Sequence, residues 1–232
     1  MAAGNGGYHG RERGDLLALV PSLPAGSRVL ELGCGEGRLG AQLRQRGLEV
    51  HGVEVVEAAA ARARAVLDRV WVGDVERMAL DYPSAHFRLL VCGDVLEHLV
   101  DPWAQLRRLR PLLTDDAVVV ASVPNLQYFP VALGLLCGRF DYADSGVLDR
   151  THLRFFTRRS ARALFEGHGY DVVAMPRRYP FRSGVLRAVA AALDLGTLGL
   201  LRGLLTGQVI VLARPRAGGR DGVRDGTGPS PR

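Results

Sequence analysis

The chain has 232 residues, 47% of them hydrophobic, and 30 basic side chains against 24 acidic ones give a formal net charge of +6. That is enough apolar mass for one α/β domain with a sizeable core. Every basic side chain is arginine, and the arginines are spread along the chain rather than blocked, which disfavours a nucleic-acid partner.

Residues 1–14 are Gly-rich and polar and read as a flexible lead-in without the apolar core of a signal peptide. The three cysteines, Cys34, Cys92 and Cys137, are too widely spaced for a disulfide framework or a zinc site, so a cytoplasmic protein with reduced thiols is expected. No uncharged apolar run has the length of a transmembrane segment. Residues 15–214 form the expected domain. Asp15–Val20 reads as a short helix. Val29–Leu32 is a buried strand, and Leu39 and Leu43 begin a helix that Gly47 stops. Val50–Glu54 is the second strand and Ala58–Leu67 an Ala/Arg helix. Val70–Val72 and Phe87–Cys92 follow as strands. Asp101 and Pro102 read as the cap and first residue of a helix, and Ala117–Val123 as the fifth strand. Residues 126–156 have no clean period and are expected to be an inserted lid on the substrate side. Thr157 caps a further helix, and Val172–Ala174 and Val209–Ala213 are the last strands. Residues 183–206 are an apolar helical insertion. Arg187, Asp194 and Arg202 fall on one narrow face of a helix there. It reads either as a helical pair packed on the body or as a contact surface, at 185–205, for a partner or a membrane face. Residues 215–232 are Gly/Arg/Pro-rich and are expected to be disordered.

Strands alternating with helices define an α/β, doubly wound, seven-stranded, mainly parallel sheet. Ligands of such sheets lie beyond the carboxyl ends of the strands. There the sequence places Glu31-Leu32-Gly33-Cys34-Gly35-Glu36-Gly37. Glycines at alternate positions let a ligand approach the backbone, and the helix that follows presents unpaired N–H groups. Glu54, about twenty residues on, suits a ribose diol. Asp74 and Val75 follow the third strand, and Asp94 the fourth. Each acid taken alone is equally readable as an ordinary strand-end charge.

The spacing G-x-G-x-G behind an acid resembles motif I of the class I S-adenosylmethionine-dependent methyltransferases. The resemblance implies their Rossmann-like fold and S-adenosylmethionine as cofactor. It implies that Glu31, Gly33, Cys34, Gly35, Gly37, Glu54, Asp74, Val75 and Asp94 bind that cofactor, with Glu54 on the ribose and Asp74 on the adenine. Asp94-Val95-Leu96-Glu97-His98-Leu99 resembles the D/E-x-x-E-H-L motif of ubiquinone-pathway and small-RNA O-methyltransferases. If helical, it puts Asp94, Glu97 and His98 on one face. Asp149-Arg150-Thr151-His152-Leu153-Arg154-Phe155-Phe156-Thr157-Arg158 resembles a later motif of the small-RNA enzymes, with Phe in place of Trp. By that resemblance Asp94, Glu97, His98 and His152 hold a divalent metal. The favoured alternative makes Glu97 and His98 structural, with His98 bonded to backbone. His152 is the candidate catalytic base, or a His that only fixes the lid, and His98 is a second candidate catalytic residue. Arg139, Arg150 and Arg154 either bind an anionic acceptor or pair with Asp141, Asp144 and Asp149. Phe129, Phe140, Tyr142, Phe155 and Phe156 are expected to wall the site.

The block from Ser122 to Thr157 resembles a bacterial branch associated with glycan and natural-product pathways. The expected function is O-methylation of a small-molecule or glycan-linked hydroxyl. The alternatives are an RNA 2′-O-methyltransferase and a catalytically inactive cofactor-binding partner protein.

Overall fold

The computed structural model describes residues 13–176, 178–179, 183–197 and 202–217. In chain order its elements are α1 Gly14–Leu17, β1 Arg28–Leu32, α2 Arg38–Gln45, β2 Glu49–Glu54, α3 Glu57–Ala63, β3 Arg69–Val72, β4 Phe87–Gly93, α4 Pro102–Leu109, β5 Leu113–Pro124, α5 Phe129–Leu136, α6 Arg158–Glu166, β6 Tyr170–Ala174, α7 Gly184–Gly196, α8 Arg202–Leu205 and β7 Gln208–Pro215. The seven strands form one sheet in the order β3-β2-β1-β4-β5-β7-β6. β1 to β5 pair in parallel, and β7 runs antiparallel between β5 and β6. The expected seven-stranded, mainly parallel sheet is therefore the fold.

The central strands are apolar on both faces because helices cover both. Leu30, Leu90, Cys92, Val119 and Ala121 meet α4 and α6 through Leu106, Leu109, Leu164 and Phe165. Val29, Leu89, Val91, Val118 and Val120 meet α1 and α2 through Leu16, Leu39 and Leu43 on the opposite side. The alternation along β4 and β5 is the period of two that a pleated strand imposes.

The helix ends follow their local chemistry. Asp101 accepts the Ala104 N–H at 2.8 Å, with Pro102 next to it at the start of α4. Thr157 and Ser160 cap α6 reciprocally.

Several expectations are corrected. β5 starts four residues early, at Leu113, because Leu113 pairs with Phe87 before the register shifts. Residues 94–98 are not helical: only Leu96–His98 make a single 3₁₀ turn, and Asp94 stands outside it with φ +56°. The lid segment contains a helix, α5. Its eight residues are so uniformly apolar that no amphipathic period marks them. The insertion forms α7 and α8; Arg187 and Asp194, two turns apart on α7, share the expected face, with Arg187 exposed and Asp194 buried. The 215–232 boundary moves, since β7 continues to Pro215. Residues 1–12 and 218–232, where the flexible lead-in and most of the tail were expected, lie outside the described residues. Among the described residues no helix is long and apolar enough to cross a membrane.

Candidate active site

The glycine turn stands at the carboxyl end of β1, where strand order reverses between β1 and β4. Gly33 has φ +61° and Gly35 φ +55°, a region costly for residues with a Cβ. A Cβ on Gly33 would lie 2.5 Å from Val95 Cγ2, so the turn needs glycine to pass the loop after β4. Gly37 caps α2 without a side-chain bond, which leaves the helix amides and their positive end facing the turn.

Glu54 is buried, not exposed on a rim. Its Oε2 accepts the Gly35 N–H at 2.8 Å and its Oε1 the Val56 N–H at 2.9 Å. It is thus a brace of the turn, and each oxygen retains capacity for a further hydroxyl donor. Glu31 lies beneath the turn, with Oε2 unbonded and 2.6 Å from where a Gly40 Cβ would stand. Burial, with Glu54 adding to it against the Gly40 amide, pushes its carboxyl up to about 8. Cys34 is buried against Gly52, and burial raises its thiol, so it is a packing residue in the turn. Asp74 is half-exposed at the rim after β3 and accepts the Glu76 N–H at 2.9 Å. Val75 is buried beside it.

Asp94 is turned away from the second motif. Arg13 donates to its Oδ2 at 2.5 Å, Ser122 Oγ donates to its Oδ1 at 2.8 Å, and Gln208 Nε2 also donates to Oδ1. Arg13 reaches it from the start of α1, while Ser122 and Gln208 stand on β5 and β7 at the same rim. Sequence reading assigned no role to these three. Ser122 and Gln208 carried a signal as polar residues at strand ends, and Arg13 carried none inside a polar lead-in.

Glu97, His98 and His152 do converge, with one donor atom from each within 4.8 Å of the others. Asp94 is not among them. The Glu97 side chain is fully buried with neither oxygen hydrogen-bonded, and burial, with Asp94 nearby, raises its carboxyl well above the usual range. Its backbone oxygen accepts the Leu153 and Arg154 amides at 2.8 and 2.9 Å, tying the 3₁₀ turn to the lid. His152 contacts the Val147 carbonyl through Nδ1 at 3.1 Å, which makes Nδ1 the donor and leaves buried Nε2 unbonded. His98 contacts the Thr151 carbonyl through Nδ1 at 3.2 Å, so its Nδ1 also carries the hydrogen. Thr151 is in turn held by Asp149, which accepts its N–H and hydroxyl at 2.8 and 2.7 Å. Burial and the neighbouring His152 lower the His98 pKa, which favours the neutral imidazole. Two imidazoles and an unpartnered carboxylate within 4.8 Å of one another suit a divalent ion of the zinc, iron or manganese kind.

The walls differ in part from expectation. Phe140 packs on Tyr142 and Phe155 at 5.4 and 5.5 Å, and Phe155 lies 6.3 Å from His152. Phe156 is in the core instead, and Phe129 packs on Tyr128. Arg139 and Arg150 pair with Asp141 and Asp144, whereas Arg154 bonds the Val100 carbonyl and covers Trp103.

The methyltransferase-domain family model matches residues 9–175, and the chain belongs to that family. The ubiquinone biosynthesis O-methyltransferase of Pseudomonas aeruginosa is 35% identical over 107 residues, 44% of this chain and 46% of that protein. Its counterpart from Bradyrhizobium diazoefficiens is 29% identical over 120 residues, 48% of this chain and 45% of that protein. The match to these curated relatives therefore spans about half of their length. Among solved structures, a SAM-dependent methyltransferase from Archaeoglobus fulgidus superposes with a TM-score of 0.64 at 17% identity, covering 87% of this chain and 91% of that one. One from Mesorhizobium loti gives 0.60 at 18% identity, covering 87% and 96%. The cofactor is S-adenosylmethionine, as the glycine turn and uncapped helix end lead one to expect.

Proposed function

We propose that this protein is an S-adenosylmethionine-dependent O-methyltransferase acting on a hydroxyl of a small-molecule or glycan-linked acceptor, held at Glu97, His98 and His152. What carries the reading is the convergence of these three residues, in which the fully buried Glu97 carboxylate and the buried His152 Nε2 have no bond. Buried polar atoms without partners are rare in proteins and call for a ligand.

In this reading Glu31, Gly33, Gly35, Gly37, Glu54, Asp74 and Val75 hold the cofactor, which supplies the methyl group on a sulfonium. A divalent cation at Glu97, His98 and His152 supplies Lewis-acid polarisation of an acceptor oxygen. The Val147 and Thr151 carbonyls orient the imidazoles, and Asp149 holds Thr151 in place. Phe140, Tyr142 and Phe155 exclude water from the acceptor side. The protein contributes mainly alignment.

A second reading rests on the same His152 geometry. Its Nε2, as a free base, takes the hydroxyl proton while Nδ1–H stays on the Val147 carbonyl.

Elemental analysis of the purified protein, with methyl transfer to a panel of phenols and sugars before and after chelation, separates the two. The metal reading expects about one ion per chain, lost in Glu97→Gln, and activity restored by added metal. No ion, with activity surviving exhaustive chelation, leaves only the base. No transfer to any hydroxyl of the panel overturns the acceptor class.

A further inference from the structure

Among the described residues, ten of the sixteen large apolar side chains that stand exposed lie in two short stretches, 129–142 and 185–195. These are α5 with its following turn, and α7. α8 touches both, so the stretches belong to one side of the molecule. None of the eight α5 residues is buried, and Leu136 is 84% exposed at its end. On α7 every residue from Val185 to Val189 is exposed. Steps of about 100° per residue carry that run once around the helix axis. Leu195, 71% exposed, lies two turns on, within about 20° of the direction of Ala188.

A helix that is apolar all round is ordinarily buried on all sides. A flat protein partner covers one face of a helix. A hydrocarbon layer surrounds whatever dips into it. The 13 residues of α7 span about 20 Å, against about 30 Å for a bilayer's hydrocarbon core, so the helix can lie in an interface but cannot cross it. Charge points the same way. Among the described residues of α5 and α7, Arg187 is the exposed charge, and the one carboxylate, Asp194, is fully buried. An arginine so placed lays its stem along acyl chains with its guanidinium among headgroup phosphates. The chain as a whole carries +6.

We propose that α5 and α7 dock this protein on an anionic lipid surface, with their apolar side chains at the depth of the acyl boundary and Arg187 at the phosphates. α7 lies beyond residue 175, where the match to the family model ends, while α5 lies within it, so only the α7 half of the surface falls in a part of this chain that the family model does not match. Phe140 and Tyr142 belong to the wall of the proposed site; without them the surface rests on α5 and α7, and the proposal is independent of the chemistry of that site.

The test is sedimentation of the full chain with vesicles of phosphatidylcholine alone and with phosphatidylglycerol added. Binding is expected to the mixed vesicles and to be weaker without the anionic lipid. Burial of one aliphatic side chain is worth about tenfold in partition or more. Leu186→Glu with Val189→Glu, and separately Leu133→Glu, are therefore expected to lower binding at least tenfold. Arg187→Glu is expected to remove the preference for anionic lipid. All four positions are exposed, and unchanged circular dichroism melts confirm that the variants fold. Failure of the wild type to bind either vesicle overturns the proposal, as does binding that the Leu186 and Val189 changes leave intact. A dimer in sedimentation equilibrium that those changes dissolve, without vesicle binding, would assign the face to a second copy instead.

Discussion

Changing Glu54 to Gln tests whether the carboxylate at the end of β2 is part of the site or of the scaffold. In the structure it braces the turn, and in the proposed reading it also meets the cofactor. The side chain is buried and accepts the Gly35 and Val56 amides at 2.8 and 2.9 Å. Glutamine keeps one acceptor oxygen and turns an NH₂ against the other amide. One charge-assisted bond is lost and one buried N–H is left without a partner. A bond to a charged group is worth about 1.5–3 kcal/mol. For a domain of this size that corresponds to a melting temperature lower by about 3–12 °C. Gly35 is also freed at the turn that faces the cofactor. Affinity for S-adenosylhomocysteine, measured by isothermal titration, is expected to fall at least tenfold. Loss of affinity with an unchanged melt would make Glu54 a ligand contact without the bracing role. Unchanged affinity and unchanged melt together would refute the argument.

Two further outcomes follow from buried charge. Glu31 has a folded-state pKa of about 8 against an ordinary 4.5, so the folded chain holds an extra proton between those values. Stability is therefore expected to fall as pH rises from about 4.5 through about 8, by at most about 1.4 kcal/mol per pH unit. In urea titrations across that range, Glu31→Gln should remove this component, and an unaltered slope would assign it elsewhere. Arg13→Ala leaves Asp94, at φ +56°, without its ion pair while Ser122 and Gln208 still donate to it. A loss of about 1.5–3 kcal/mol is expected in chemical denaturation, with partial recovery in Arg13→Lys. An alanine variant as stable as the wild type would show that the pair contributes nothing.

The sheet was legible because its signals are local. Runs such as Leu89-Leu90-Val91-Cys92 read as strands buried on both faces, and Asp101-Pro102 and Thr157 mark helix starts by hydrogen bonds within a few residues. The glycine turn was legible for the same reason. Two kinds of feature were not. One is conformation set by tertiary contact. Asp94, Glu97 and His98 have helical spacing, yet the 3₁₀ turn is held by Glu97 carbonyl bonds to Leu153 and Arg154, more than fifty residues away. The other is the choice of partner for a charge. Asp94 was read as a ligand residue, and an arginine 81 positions away occupies it. His152 joined Glu97 and His98 on paper only through resemblance, because nothing local brings residue 152 to residue 97. α5 escaped notice because exposed leucines on every side leave no period to detect.

The reversed direction of β7 makes the two ends of the described chain unequal as handles. Gln208 stands at the rim opposite Pro124, so Pro215 is at the far end of the sheet, seven residues or about 24 Å away. Arg216 is anchored there by the Gly169 carbonyl and Asp171. Arg13, by contrast, has its guanidinium on Asp94 at the rim itself. A fluorophore or immobilising group joined at Ala217 sits a strand's length from the proposed site. One joined beside Arg13 bears directly on it.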